Sequence, residues 1–68
     1  MTVVVNGRSR EVTAGTTVAD LVTQLRGVRG DSGIAVALNG EVVARSGWPD
    51  ARLAQDDRVE VLGAVGGG

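Results

Sequence analysis

The chain has 68 residues, a formal net charge of −1, and apolar residues over 43% of its length. A chain that short makes one small domain with a single modest core, leaves no room for a deep catalytic cleft, and points to a protein that works with a larger partner. Its seven basic residues are all arginines scattered among eight acids. No basic block is available to neutralise a nucleic-acid backbone, no apolar run approaches the ~20 residues that span a bilayer, and the N-terminus lacks the layout of a signal peptide, so a cytoplasmic location is expected.

Taken in chain order, Val3-Val4-Val5 is a β-favouring run closed by Asn6-Gly7, and Arg8–Val12 follows as a second extended segment. Branched side chains suit a pleated surface, and Asn-Gly between two such segments is a strong hairpin signal, which predicts strands over 2–6 and 8–12. After the loop Thr13–Thr16, Thr17 has the chemistry of a helix N-cap with Asp20 as its capping-box partner. Val18, Leu21, Val22 and Leu25 recur at the spacing of one helical face, and Arg26-Gly27 supplies a C-terminal signal, so a single helix is predicted over 18–26.

The polar, Gly-containing connection Val28–Gly33 reads as the most mobile internal loop. Ile34, Val36 and Leu38 alternate with Ala35 and Ala37 as a strand with one large and one small face, and Asn39-Gly40 turns it into Glu41-Val42-Val43. Ser46–Gln55 contains Gly47 and Pro49 and reads as irregular, with room for a short 3₁₀ turn. Asp56-Asp57 marks another turn, and Arg58–Leu62 is the last strand, with Val59 and Val61 facing inward. The helix has nowhere to bury its stripe except across the sheet, which gives an α+β domain: a mixed sheet with one helix over it.

The side-chain inventory excludes most covalent chemistry. The chain has no Cys, His or Lys. Thiolate, imidazole and amine catalysis, disulfides and the usual structural metal sites are therefore absent, and no base of the ordinary kind is present to activate a hydroxyl. The chain end remains. Gly66-Gly67-Gly68 reads either as a frayed terminus or as a working tail. In the second reading, a tail without Cβ atoms threads a narrow channel and lays its carboxylate in a partner's active site. A carboxylate is a poor electrophile until adenylation supplies a leaving group. The acyl-adenylate then accepts sulfur and becomes a thiocarboxylate, a sulfur nucleophile made without cysteine.

One family carries this combination. The Val-rich first strand ending at Asn6-Gly7, Thr17-Val18-Ala19-Asp20-Leu21, and the run from Gly33 through Asn39-Gly40 to Val43 are followed by Arg45-Ser46-Gly47-Trp48. Asp56-Asp57-Arg58-Val59-Glu60-Val61 and Ala64-Val65-Gly66-Gly67-Gly68 complete the set. Over essentially its whole length the chain resembles the ThiS family, the sulfur carriers of thiamine thiazole synthesis. The resemblance implies a ubiquitin-like β-grasp fold of about five strands over residues 1–65, with a flexible tail at 66–68. It implies that the Gly68 carboxylate is adenylated and thiocarboxylated, that Gly67 threads the channel, and that Gly66 is one residue of added slack.

The chain would then be a protein co-substrate and not an enzyme, binding no cofactor itself while its activating enzyme uses ATP and Mg²⁺. The implied partners are an E1-like adenylyltransferase (ThiF-like), a thiazole synthase (ThiG-like) and a sulfur donor such as a cysteine desulfurase. Two alternatives stay open: a sulfur carrier for another pathway, such as molybdopterin or a secondary metabolite, and a β-grasp interaction module or protein modifier with no sulfur role. The synthase that binds the chain separates the first; an isopeptide adduct would mark a modifier.

Other residues have two readings each. Trp48 is either a partner-binding anchor or a core residue beneath an irregular loop. Val4, Leu62 and Val65 lie off the core alternation and are candidates for an exposed apolar docking patch beside the tail. Arg58 and Glu60 either set register with a partner or are solvated charges. Asp56-Asp57 lacks the further oxygen ligands of a cation loop and reads as turn chemistry.

Overall fold

The computed structural model describes residues 1–26 and 33–63. Its elements are β1 (Thr2–Val5), β2 (Arg8–Glu11), the helix α1 (Val18–Arg26), β3 (Ile34–Leu38), β4 (Glu41–Val43), a 3₁₀ helix (Arg45–Asp50) and β5 (Arg58–Gly63). The strands form one mixed sheet in the order β2-β1-β5-β3-β4. The two hairpins are antiparallel, β5 lies parallel to β1 and antiparallel to β3, and the last strand in sequence is therefore the central strand in space. The expected connection Val28–Gly33 falls almost entirely outside the described residues, as do the expected C-cap Gly27 and the tail 66–68.

Strand bounds differ from the sequence reading by one residue for a physical reason. β1 stops at Val5 because Asn6 takes φ +50° as the first turn residue, and β2 stops at Glu11 although Val12 still pairs with Met1 through its backbone. β5 runs one residue longer than expected, because Ile34 of β3 provides a partner for Gly63.

The core lies between one face of the sheet and α1. Val3, Val5, Ile34, Val36, Val59 and Val61 project from the strands, and Val18, Leu21 and Val22 meet them from the helix, all buried. The N-terminus of α1 carries a reciprocal capping box: the Asp20 amide donates to Thr17 Oγ1 and the Thr17 amide donates to Asp20 Oδ2, both at 3.1 Å. Two orphan donors are satisfied by two short side chains, with Asp in the place where Glu is more usual.

The segment after the 3₁₀ helix is irregular but tightly held. Val18 N–H donates to the Ala51 carbonyl and Leu53 N–H to the Thr16 carbonyl, both at 2.9 Å, strapping this segment to the helix start. The strap drops Leu53 into the core, a placement that no periodicity in the sequence announces.

Trp48 takes the core reading. It is 4% exposed, and its indole Nε1–H donates to the Val43 carbonyl at 3.0 Å, so its single polar atom is satisfied under the loop. The Arg45 guanidinium lies 5.6 Å from the ring centroid, within cation–π range. The 3₁₀ helix therefore exists to lay an indole over the end of the core.

Trp48→Phe is expected to cost about 1–2 kcal/mol from the lost hydrogen bond and lost volume, and Trp48→Ala about 3–5 kcal/mol. Urea unfolding followed by circular dichroism checks both values, since Phe at this position removes the chain's only indole.

Candidate functional site

The tail continues from β5, so the site begins with what holds that strand. On one side, five residue pairs join β5 to β3, from Val59 opposite Leu38 to Gly63 opposite Ile34. On the other, β1 provides only two pairs, Val4 with Arg58 and Val5 with Val59, before the chain turns away at Asn6-Gly7. The Asn6 side chain continues the ladder where the backbone leaves off. Its Oδ1 accepts from Val61 N–H at 2.9 Å, and its Nδ2 donates to the Val61 carbonyl at 3.2 Å. The primary amide thus stands in for one more peptide unit of β1.

The second Asn-Gly turn grips the other end of the same strand. The Asn39 amide donates to the Arg58 carbonyl at 2.7 Å, while Asn39 Oδ1 accepts from Arg58 N–H at 2.9 Å. Asn39 Nδ2 reaches Asp57 Oδ1 at 3.0 Å, and Asp57 Oδ2 accepts from Ala54 N–H at 2.7 Å. Both Asp57 oxygens are engaged inside the chain, which confirms Asp56-Asp57 as turn chemistry; Asp56 itself sits at φ +69°.

At both turns asparagine meets two demands. With φ near +50° at Asn6 and Asn39, followed by Gly7 and Gly40 at +83° and +87°, it serves a type I′ turn. It also offers a donor and an acceptor to β5. Asp would lose the donor and Gly would lose both.

The sheet face turned away from α1 carries the side chains that reach solvent beside the strand's exit. Leu62 is 66% exposed, and Ala35 is its register partner on β3. Ala37 lies next along β3, paired with Glu60 on one side and with Val42, 81% exposed, on the other. Leu62, Ala35, Ala37 and Val42 thus form a shallow apolar patch with small residues at its centre.

The structure separates Val4 from this patch. It lies on the same face but level with Arg58, roughly 13 Å along β5 from Leu62, with Arg58 and Glu60 projecting between them. Parallel pairing places β1 alongside the start of β5, so Val4 and Leu62 do not share one patch as the sequence suggested. Val65, Gly66, Gly67 and Gly68 lie outside the described residues. Val42 was not foreseen as a surface residue; the signal was the small Ala35/Ala37 face opposite it.

Comparison with known proteins agrees with this architecture. The model of the ThiS family matches residues 3–68. A crystal structure of the thiamine biosynthesis protein ThiS from Geobacter metallireducens superposes with a TM-score of 0.82 at 33% identity, covering 100% of both chains. The fold is therefore the β-grasp. No curated protein gives a significant match.

Asn6→Gly keeps the turn's backbone and removes both bonds to Val61. It is expected to cost about 1–2 kcal/mol, and Asn39→Gly a similar amount. Denaturant midpoints at unchanged m-value check this, and amide exchange at Val61 should rise in Asn6→Gly alone.

Proposed function

We propose that this chain, which belongs to the ThiS family, is a sulfur carrier in thiamine biosynthesis whose reacting group is the Gly68 carboxylate. The single observation that carries the reading is the family match running through the terminal glycines, residues 3–68, on a chain with no Cys, His or Lys to offer a competing chemistry. The arrangement of β5 supports it. A central strand clamped at Arg58 and Val61 is the last described element before the terminal glycines in sequence, so the body of the domain holds the point from which the chain end departs.

The chemistry follows from the carboxylate. An oxygen of Gly68 attacks the α-phosphorus of ATP in the active site of an E1-like adenylyltransferase, and pyrophosphate leaves. A sulfur nucleophile then attacks the acyl carbon and displaces AMP: hydrosulfide gives the thiocarboxylate directly, whereas a persulfide gives an acyl disulfide that a thiol reductant cleaves to the thiocarboxylate. Mg²⁺ and ATP belong to that enzyme, and this chain contributes no side chain to either step. A thiazole synthase would consume the thiocarboxylate sulfur and return the carboxylate. Gly67, and Gly66 behind it, give a tail thin enough to pass between enzyme walls. The Leu62–Val42 patch, together with Val65, is the surface on which such a partner would seat.

Intact-mass analysis tests the reading. Incubation with a matched activating enzyme, ATP, Mg²⁺ and a sulfur donor should shift the chain by the mass of one oxygen replaced by sulfur, located at Gly68 by fragmentation. Gly67→Val should keep its fold and lose the shift. An unmodified native chain under conditions that activate a known carrier would refute the proposal.

A further inference from the structure

A second surface lies at the other side of the sheet, on the face turned toward α1. A cavity of about 410 Å³ opens between the C-terminal turn of the helix and the first hairpin. Its floor is apolar, made by Val5, Leu25 and Val61, and the arginines Arg8 and Arg10 line it from β2. Register places both arginines on the helix side of the sheet, opposite Val5 and Val3. Among the described residues no carboxylate lines the cavity, and the Glu11 carboxylate is held on the opposite face by the Thr2 hydroxyl. Arg10 Nε is buried without a hydrogen-bond partner. A guanidinium N–H shielded from water and left unpaired is an uncommon arrangement, and a turn of the Arg10 side chain toward an incoming carboxylate would satisfy it.

The same strand offers a free backbone edge. β2 is the outermost strand, paired only with β1. Met1 and Val12 exchange both backbone hydrogen bonds, each at 2.8 Å. Antiparallel alternation then makes Val3–Arg10 and Val5–Arg8 the bonded pairs and turns the N–H and C=O groups of Ser9 and Glu11 outward. The opposite edge, β4, is three residues long and brings Glu41 to the helix side.

We propose that this edge and cavity receive an extended, carboxylate-bearing segment of a partner protein. The segment adds to β2 through Ser9 and Glu11, drops an apolar side chain onto Val5 and Leu25, and brings a carboxylate to Arg10 and Arg8. A second copy of this chain is a poor occupant: the antiparallel registers that keep Ser9 in the ladder set Arg8 opposite Arg10, or Arg10 opposite Arg10. An acidic partner is complementary where a copy is repelled. Glu11 on the far face restricts the acids to alternate positions. The inference concerns a different surface from the Leu62 patch and is independent of the chemistry at Gly68.

The probe is the capped peptide Thr-Val-Thr-Asp-Thr-Asp, titrated into the full ¹⁵N-labelled chain and followed by amide and Arg Nε–H resonances. The expected result is saturable shifts at Ser9, Glu11 and Arg10 Nε–H. Affinity should fall by about tenfold or more when Asn replaces Asp in the peptide, and likewise in Arg10→Gln. Arg8→Gln, at an exposed position, provides the same comparison if Arg10→Gln unfolds. Any of three results overturns the proposal: no saturation at millimolar peptide, equal binding of the Asn peptide, or shifts confined to the face around Leu62. Acetate binding as tightly as the peptide would also overturn it, by marking a small-anion site with no role for the strand edge.

Discussion

The structure depends on how its last strand is held. β5 is the final described element of the chain and the middle strand of the sheet, so the domain cannot be completed until its C-terminal segment inserts between β1 and β3. β1 is too short to support β5 to its end, and the Asn6 amide supplies the missing peptide-like rung at Val61. Asn39 performs the corresponding service at Arg58. Both hairpin turns are therefore also clamps on the strand from which the chain end departs. A displaced β5 would shift the point where the tail starts, and a reaction at the end of a short tail tolerates little such error.

This arrangement suits a domain with a small aliphatic core. With one indole and no other aromatic ring, packing relies on Val side chains from strands on one side and a single nine-residue helix on the other. Specificity of register then has to come from polar devices at the periphery: the Thr17–Asp20 box, the Trp48–Val43 bond and the two asparagines. The Trp48 and Asn6 bonds satisfy part-buried groups that would otherwise lack a partner, while the Thr17–Asp20 and Asn39 bonds fix exposed backbone groups in place. Among the described residues, Leu62 and Val42 are the large apolar side chains left exposed, and they share the sheet face turned away from α1.

Much of this was legible in the sequence because it is local. The helix is predicted at its observed bounds, since apolar spacing and the Thr17 cap fall within one short window. Both hairpins follow from Asn-Gly, and the 3₁₀ helix occupies the stretch where Gly47 and Pro49 forbid a regular strand. What was not legible depends on contacts distant in the chain. The burial of Leu53 follows from its strap to Thr16, and the separation of Val4 from Leu62 follows from the parallel pairing of β1 with β5. The second function of the asparagines is hidden because an Asn-Gly turn looks complete without it. The cavity beneath Arg8 and Arg10 was missed for a similar reason. Arg-Ser-Arg reads as an ordinary solvated strand until the register shows both arginines on the covered face.

In the proposed function, the body of the domain serves to present one terminal carboxylate for activation. The most direct measurement is ATP–pyrophosphate exchange by a matched activating enzyme, comparing the native chain with one whose Gly68 carboxylate is converted to the amide. Exchange should depend on the native chain and disappear with the amide. Equal exchange with both would place the reacting group elsewhere and contradict the proposed function.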